Sequence, residues 1–84
     1  MTPVQSTIAN HIAVVVLRRT PARAPGLDQQ LLAERILDSL GLQQLITFIE
    51  AEYGLEIGDD HLLPENFESI RTIAALVEQL RHPG

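Results

Sequence analysis

The chain has 84 residues, of which 45% are hydrophobic and only 4% aromatic, and its formal net charge is −5. This length allows a single domain with a small core. The absence of cysteine excludes disulfides, thiolate metal sites and a cysteine nucleophile. The longest fully apolar run, residues 12–17, is too short to span a bilayer, so we expect one cytoplasmic domain over residues 1–84.

The acidic residues are concentrated in one part of the chain. Eight of the 11 lie between Asp38 and Glu68, a segment without Lys or Arg. Such a segment repels nucleic acid and anionic membranes and suits a basic protein partner. The alternative is a solvated surface that serves solubility alone. We therefore expect protein partners, and neither nucleic acid nor a membrane.

The first helix is predicted over about residues 3–19. Thr2, Pro3 and Gln5 form the pattern of a capping box with proline in the first turn. Arg18 and Arg19 suit the negative end of the helix dipole. Residues 14–16 are β-branched and would also suit a strand, but no partner strand is evident elsewhere. Hydrophobic residues recur here at helical spacing: Ile8, Ile12, Val15 and Val16.

A long loop is predicted over residues 20–37, because two prolines and a glycine lie within its first seven residues. The second helix then follows over about residues 39–53. Asp38 is a preferred N-cap, and Gly54 is the expected left-handed stop, with Leu55 packing back. The face predicted to be buried comprises Leu42, Leu45, Ile46, Ile49 and Tyr53.

The remaining chain predicts a connector and two more helices. Pro64 favours a short helix over about residues 64–67, and Ser69 caps a last helix over about residues 70–81. The fold class is therefore all-α, with three substantial helices and one short one. The residues of the last helix that recur at helical spacing are Ile70, Ile73, Ala74, Val77 and Leu80.

Ser39, at the start of the second helix, has three alternative interpretations. A group on its hydroxyl would project from the positive end of the helix, which favours a phosphate ester. It is alternatively a first-turn residue without function. As a nucleophile it would need His61 as its base and Asp60 to orient the histidine. No glycine-flanked turn surrounds Ser39, and so small a bundle has little room for a substrate pocket.

Asp59, Asp60 and His61 are able to contact a divalent ion, but this pattern is more typical of solvated loop residues. His11 and His82 lie near opposite chain ends and form no ligand spacing with His61. We therefore predict neither a metal site nor a catalytic residue. One side of the second helix, opposite the buried face, instead has the character of a docking surface. Its residues are Leu40, Gln43, Gln44, Thr47 and Glu50.

The stretch LDSLG at the head of the second helix resembles the D-S-L attachment motif of acyl carrier and peptidyl carrier proteins. The resemblance runs from about residue 27 to residue 80. It includes EAEYGLEI, the acidic loop GDDHLLPENFES and the last helix IRTIAALVEQL. It implies a four-helix bundle of acyl-carrier type with a long first loop and a short third helix. It also implies a carrier rather than an enzyme.

In the family that the chain resembles, the serine of the motif receives 4′-phosphopantetheine from coenzyme A. Ser39 matches this attachment residue, and Asp38 would cap the helix and help to position it. The thiol of the arm would hold an acyl or aminoacyl group as a thioester. The implied partners are a phosphopantetheinyl transferase, an adenylating or acyl-loading enzyme and downstream acyl-processing enzymes. They would dock on Leu40, Gln43, Gln44, Thr47 and Glu50.

ILDSLG combined with LLPENFESI is most similar to small free-standing carriers of aminoacyl groups, including those of nonribosomal peptide and pyrrole-type pathways. Ile36 stands where the fatty-acid type usually has glycine, and Gln43 and Gln44 are less acidic than that type favours. Arg35 stands where related carriers have a small turn residue. Because a Cβ resists positive φ, we expect a different loop path there, and Arg35 is a candidate partner of the added phosphate. The alternative function is an unmodified acidic interaction module.

Overall fold

The computed structural model describes residues 1–82, so the last two residues of the predicted domain lie outside the described part. The three α-helices are α1 (Pro3–His11), α2 (Ser39–Tyr53) and α3 (Ile70–Arg81). A π-helical segment, Ile12–Val16, continues α1, and 3-10 turns lie at Pro21–Arg23, Asp59–His61 and Pro64–Asn66. Residues 1–82 contain no strand, and the all-α class is confirmed.

At the short helix predicted over about residues 64–67 the structure has a single 3-10 turn, Pro64–Asn66. Pro64 begins the turn, but Phe67, directly after it, has left the helical conformation and is buried in the core. Ser69 must then be extended to cap α3. The segment between Pro64 and Ser69 is thus too short for a further helical turn, and within residues 1–82 three α-helices build the bundle.

The first helix begins at the predicted capping box. Thr2 Oγ1 accepts a hydrogen bond from the Gln5 N–H at 3.1 Å, and Gln5 Oε1 accepts one from the Thr2 N–H at 2.9 Å. The helix was predicted to reach about residue 19, but it becomes π-helical at Ile12 and ends at Val16. A π-helical turn holds more residues than an α-helical turn, so the buried face rotates. Val15 is consequently 49% exposed.

The second helix has defined ends. Asp38 is extended and caps the N-terminus. Gly54 has a φ of 62°, and its N–H donates to the carbonyl of Glu50, which is the left-handed stop that glycine favours. Leu45 and Ile49 are fully buried. The other residues predicted for this buried face are only partly buried, although they contact the core: Leu42, Ile46 and Tyr53.

The long loop between α1 and α2 contributes to the core and is fastened to the start of α3. Leu31 is fully buried, and its N–H donates to the carbonyl of Glu68 at 2.7 Å. The N–H of Arg71 donates to the carbonyl of Leu27 at 3.1 Å. The Arg71 guanidinium also pairs with the Asp28 carboxylate through two hydrogen bonds of 2.7 and 3.0 Å.

Arg35, in the last turn of this loop, has a φ of 58°. The Cβ of Arg35 therefore does not exclude the left-handed conformation, contrary to the expectation from the sequence. The N–H groups of Ile36 and Leu37 both donate to the carbonyl of Leu31, at 2.8 and 3.0 Å, and Leu37 is buried. These contacts hold the turn closed and offset the steric cost of a left-handed residue, about 1–2 kcal/mol.

The last helix supplies the largest share of the core and packs against α1. Ser69 and Thr72 form a reciprocal capping box at its start. Leu76 is buried in addition to the predicted residues, while Leu80 is only partly buried. No helix in residues 1–82 is long and apolar enough to cross a membrane. The fully buried side chains of α3 are Ile70, Ile73 and Val77.

Candidate functional site

Ser39 is the first residue of α2 and is exposed. Its orientation depends on Asp38, whose extended backbone, with φ −97° and ψ −174°, brings the chain into the helix. Asp38 Oδ1 accepts a hydrogen bond from the Gly41 N–H at 2.7 Å. This bond supplies a partner for one of the amides that a helix start leaves unpaired. The hydroxyl of Ser39 therefore stands at the surface on a fixed first turn.

The electrostatics of this first turn favour a negative group. The first amides of a helix have no carbonyl partner within the helix, and the aligned peptide dipoles place a partial positive charge there. Of the amides in the first turn of α2, that of Gly41 is bound by Asp38. An anion attached at Ser39 would thus lie beside the remaining amides of the turn.

A groove of about 240 Å³ adjoins Ser39, between the π segment and α2. Asp38 and Leu40, the two neighbours of Ser39 in the chain, both line it. Gly41 allows the two segments to approach closely, because a Cβ at that position would lie 3.1 Å from Val16 Cγ1. The complete lining comprises Val15, Val16, Arg18, Ile36, Asp38, Leu40, Gly41 and Gln44.

The groove includes residues that were not predicted to belong to the site. Val15, Val16 and Arg18 were interpreted only as parts of the first helix. No local pattern in the sequence indicates their proximity to Ser39, since it depends on the π segment and on the packing of two helices. The only signal was Gly41, because a glycine inside a helix often marks close approach of another backbone.

The predicted docking face is mostly exposed. Leu40 is 67% exposed, and Gln43, Gln44 and Thr47 are exposed as well. Glu50 differs from these four, because it is only partly exposed and its Oε2 accepts a hydrogen bond from the Ile57 N–H at 2.9 Å. The carboxylate of Glu50 therefore holds the chain segment that follows α2.

His61 lies in the 3-10 turn Asp59–His61. Its Nε2 is 3.6 Å from Asp60 Oδ2, and its carbonyl accepts a hydrogen bond from Asn66 Nδ2. Within residues 1–82 the polar partner of the His61 side chain is Asp60 rather than Ser39, so the structure gives no nucleophile–base pair. Throughout residues 1–82, no cluster of three or more His, Asp or Glu residues is suited to hold a metal ion.

A second groove, of about 120 Å³, lies on another side of α2. It is lined only by apolar residues, which come from the long loop, α2 and the connector before α3. Leu62 and Leu63 are partly exposed at this groove, at 41% and 43%. Its complete lining comprises Leu32, Leu42, Leu62, Leu63, Pro64 and Phe67.

The comparisons with known proteins agree with this architecture. The sequence matches no family model. It is 34% identical over 82 residues to Probable acyl carrier protein PigG from Serratia sp. (strain ATCC 39006), with 94% of this chain and 91% of PigG covered. The chain belongs to the acyl carrier protein family. A solved structure of KstB-PCP in the apo state is also similar, with 34% identity, a TM-score of 0.73, and 93% of this chain and 86% of that chain covered.

The family membership confirms the resemblance to acyl and peptidyl carrier proteins and the carrier type of the fold. Proteins of this family are carriers rather than enzymes, so the prediction of a non-catalytic role is confirmed. Members of the family carry phosphopantetheine and interact with phosphopantetheinyl transferases and acyl-processing enzymes. The similarity to PigG covers 94% of the chain, and so extends beyond the predicted span of residues 27–80.

Proposed function

We propose that this carrier holds an acyl or aminoacyl group as a thioester on a 4′-phosphopantetheine arm attached to Ser39. It presents the group to partner enzymes in the cytoplasm, in a pathway of secondary metabolism such as nonribosomal peptide synthesis. The observation that carries the proposal is the position of Ser39, which is exposed in the first turn of α2 directly after the capping Asp38.

The residues around Ser39 fit a phosphate ester. Asp38 fixes the first turn through its bond to the Gly41 N–H, and the positive end of α2 favours the negative phosphodiester. Attachment joins the hydroxyl oxygen of Ser39 to the phosphorus that carries pantetheine in coenzyme A. The pyrophosphate bond breaks, and adenosine 3′,5′-bisphosphate and the hydroxyl proton are released. The arm supplies a terminal thiol, which is the group that forms the thioester.

The exposed surface of α2 supports docking by partner enzymes. An apolar side chain that is 67% exposed, such as Leu40, gains little from folding and suits a protein interface. Gln43, Gln44 and Thr47 would form the polar surroundings of this contact. The partners are a phosphopantetheinyl transferase, an adenylating or acyl-loading enzyme and acyl-processing enzymes. The neutral Gln43 and Gln44 favour a secondary pathway over primary fatty-acid synthesis.

Intact mass tests the attachment. The protein is incubated with coenzyme A and a broad-specificity phosphopantetheinyl transferase, beside a Ser39→Ala variant. We expect the wild-type protein to gain the mass of one phosphopantetheine and the variant to gain none. Circular dichroism establishes that both proteins are helical. Folded wild-type protein that gains no mass would contradict the proposal and would favour an unmodified acidic interaction module.

Leu40→Ala tests the docking face. Because Leu40 is mostly exposed, the variant should change the free energy of unfolding by less than about 0.5 kcal/mol. It should lower kcat/KM of the transferase for the carrier by roughly fivefold or more, as expected for truncation of an interface residue worth about 1 kcal/mol. The measurements are transfer kinetics and urea unfolding on the same samples.

Val14→Ala is the matched control, because Val14 is 48% exposed and lies outside the docking face. This variant should leave both the transfer rate and the stability nearly unchanged. A Leu40→Ala protein with a much lower Tm and an unaltered kcat/KM would show that Leu40 packs in the core and does not contact the partner enzyme.

A further inference from the structure

The groove between the π segment and α2 lies beside Ser39, although Ser39 is not one of its lining residues. On the basis of the proposed function, we infer that this groove seats the part of the phosphopantetheine arm nearest to Ser39, with Arg18 as the residue that pairs with the phosphodiester. The arm is thus held against the end of the first helix. Both chain neighbours of Ser39, Asp38 and Leu40, line the groove, so a group attached to Ser39 begins at its edge.

Arg18 provides the charge that a phosphodiester requires. It lines the groove and is exposed. Within residues 1–82 the arginines in salt bridges are Arg71 and Arg81, so Arg18 is available to an incoming anion. The Asp38 carboxylate lines the same groove and accepts the Gly41 N–H, and none of the salt bridges within residues 1–82 joins it to Arg18. Arg35, the partner considered from the sequence, is not among the lining residues.

The backbone at the end of the first helix sets the position of Arg18. The π segment ends at Val16, and Arg18 has a φ of 55°. The N–H of Arg19 donates to the carbonyl of Ala13 at 2.7 Å, and the N–H of Leu17 donates to that of Ile12 at 2.9 Å. These two bonds close the turn on the carbonyls of the π segment, so Arg18 stands on a fixed turn.

The remaining lining of the groove matches the order of chemical groups along the arm. After the phosphate, the arm presents a carbon with two methyl groups, then a hydroxyl and an amide. Val15, Val16 and Leu40 offer apolar surface for the methyl groups. Gln44 lies one helical turn beyond Leu40 on the same face of α2, where its side-chain amide is placed to bind the amide of the arm. The sequence of contacts therefore runs from Arg18 past Leu40 to Gln44.

Attachment makes even weak contacts effective. A group tethered at Ser39 reaches the groove at a high effective concentration, because binding is intramolecular. An exposed Arg–phosphate pair contributes little in water, so the arm leaves the groove readily. Leu40 belongs both to the groove and to the docking face. A partner enzyme that binds over Leu40 therefore displaces the arm from the groove and binds the arm itself.

NMR on isotopically labelled protein tests this inference. The sample is first shown by intact mass to carry the arm. We expect nuclear Overhauser effects between the two methyl groups of the arm and the methyl groups of Val15 and Val16. We also expect the side-chain amide signals of Gln44 to shift between the unmodified and modified protein. In Arg18→Gln these Overhauser effects should weaken about threefold, which corresponds to about 0.65 kcal/mol.

Arg23→Gln is the matched control, because Arg23 is an exposed arginine outside the groove and the charge change is the same. It should leave the Overhauser effects unaltered. Equal weakening in both variants would overturn the role of Arg18. If the arm of the modified wild-type protein showed no Overhauser contacts to Val15 and Val16, the proposed binding of the arm in the groove would be wrong, while the attachment to Ser39 would still hold. Folded protein that gains no mass would overturn both proposals, so the two failures are distinct.

Discussion

His11 is a buried titratable side chain on α1. It is 9% exposed, and its ring stacks on Phe48 with the ring centroids 4.2 Å apart and an interplanar angle of 17°. Its Nε2 is buried and has no hydrogen-bond partner among the described residues. Burial lowers the pKa of His11 below its ordinary value of 6.5, because the charged imidazolium loses its hydration. Burial therefore disfavours the charged form of His11 in the folded protein.

This lowered pKa makes stability depend on pH. Below the ordinary pKa of 6.5 the unfolded chain binds a proton at His11 that the folded protein does not yet bind. The free energy of unfolding should thus be at its full value above about pH 6.5 and should fall as the pH decreases from there. Urea unfolding at about pH 7.5 and about pH 5.5 measures the loss, in a range where the carboxylates remain mostly ionised.

His11→Phe removes the titrating group and keeps an aromatic ring for the stack with Phe48. Its free energy of unfolding should differ less between the two pH values than that of the wild-type protein. His82→Gln is the control, because His82 is exposed at the end of α3 and should leave the pH dependence as it is. Identical pH dependence in the wild-type protein and in His11→Phe would refute the role of His11.

At the level of single residues, caps and stops could be predicted, and the conformation of Arg35 could not. Asp38 and Gly54 act through local backbone geometry, which the residue type itself determines. The φ of 58° at Arg35 contradicts its local preference. It results from the contacts of Leu31 and Leu37 with the rest of the fold, and these are not present in the local sequence.

At the level of elements, the first helix shows how packing overrides local periodicity. Its start follows from the capping box, and Ile8 and Ile12 are buried as their spacing indicates. The switch to a π segment at Ile12 has no signal in residues 12–17, which are all apolar and fit several helical registers equally well. Because Val16 lies against Gly41 of α2, the register is set by contact between helices.

The rotated register predicts different costs for two neighbouring core candidates. Val15 is 49% exposed and Ile12 is fully buried. Val15→Ala should change the free energy of unfolding by less than about 0.5 kcal/mol, whereas Ile12→Val, which removes one methylene, should lower it by about 0.5–1.5 kcal/mol. Denaturant unfolding of both variants measures this difference. A larger loss for Val15→Ala than for Ile12→Val would indicate a regular α-helix through Val16.

At the level of the whole molecule, the long loop is a structural part of the bundle as well as a connection. Its length and prolines could be read from the sequence, but its contribution to the core could not, because irregular segments have no hydrophobic period. Leu31 and Leu37 are buried in the core. Two backbone hydrogen bonds and the Asp28–Arg71 ion pair fasten the loop to the start of α3. This fastening fixes the path of the chain into Asp38 and so the position of Ser39.

Burial of Leu31, rather than the ion pair, should hold the loop in place. Leu31→Ala should lower the free energy of unfolding by about 2–5 kcal/mol, because it leaves a cavity in the core. Arg71 lowers the pKa of Asp28 through their hydrogen bond, yet both side chains are mostly exposed, and water and salt weaken such a pair. Asp28→Asn should therefore have a much smaller effect, and one that disappears at high salt. Urea unfolding at low and high ionic strength distinguishes the two contributions. If Asp28→Asn lowered the free energy of unfolding as much as Leu31→Ala does, the ion pair and not Leu31 would hold the loop in place.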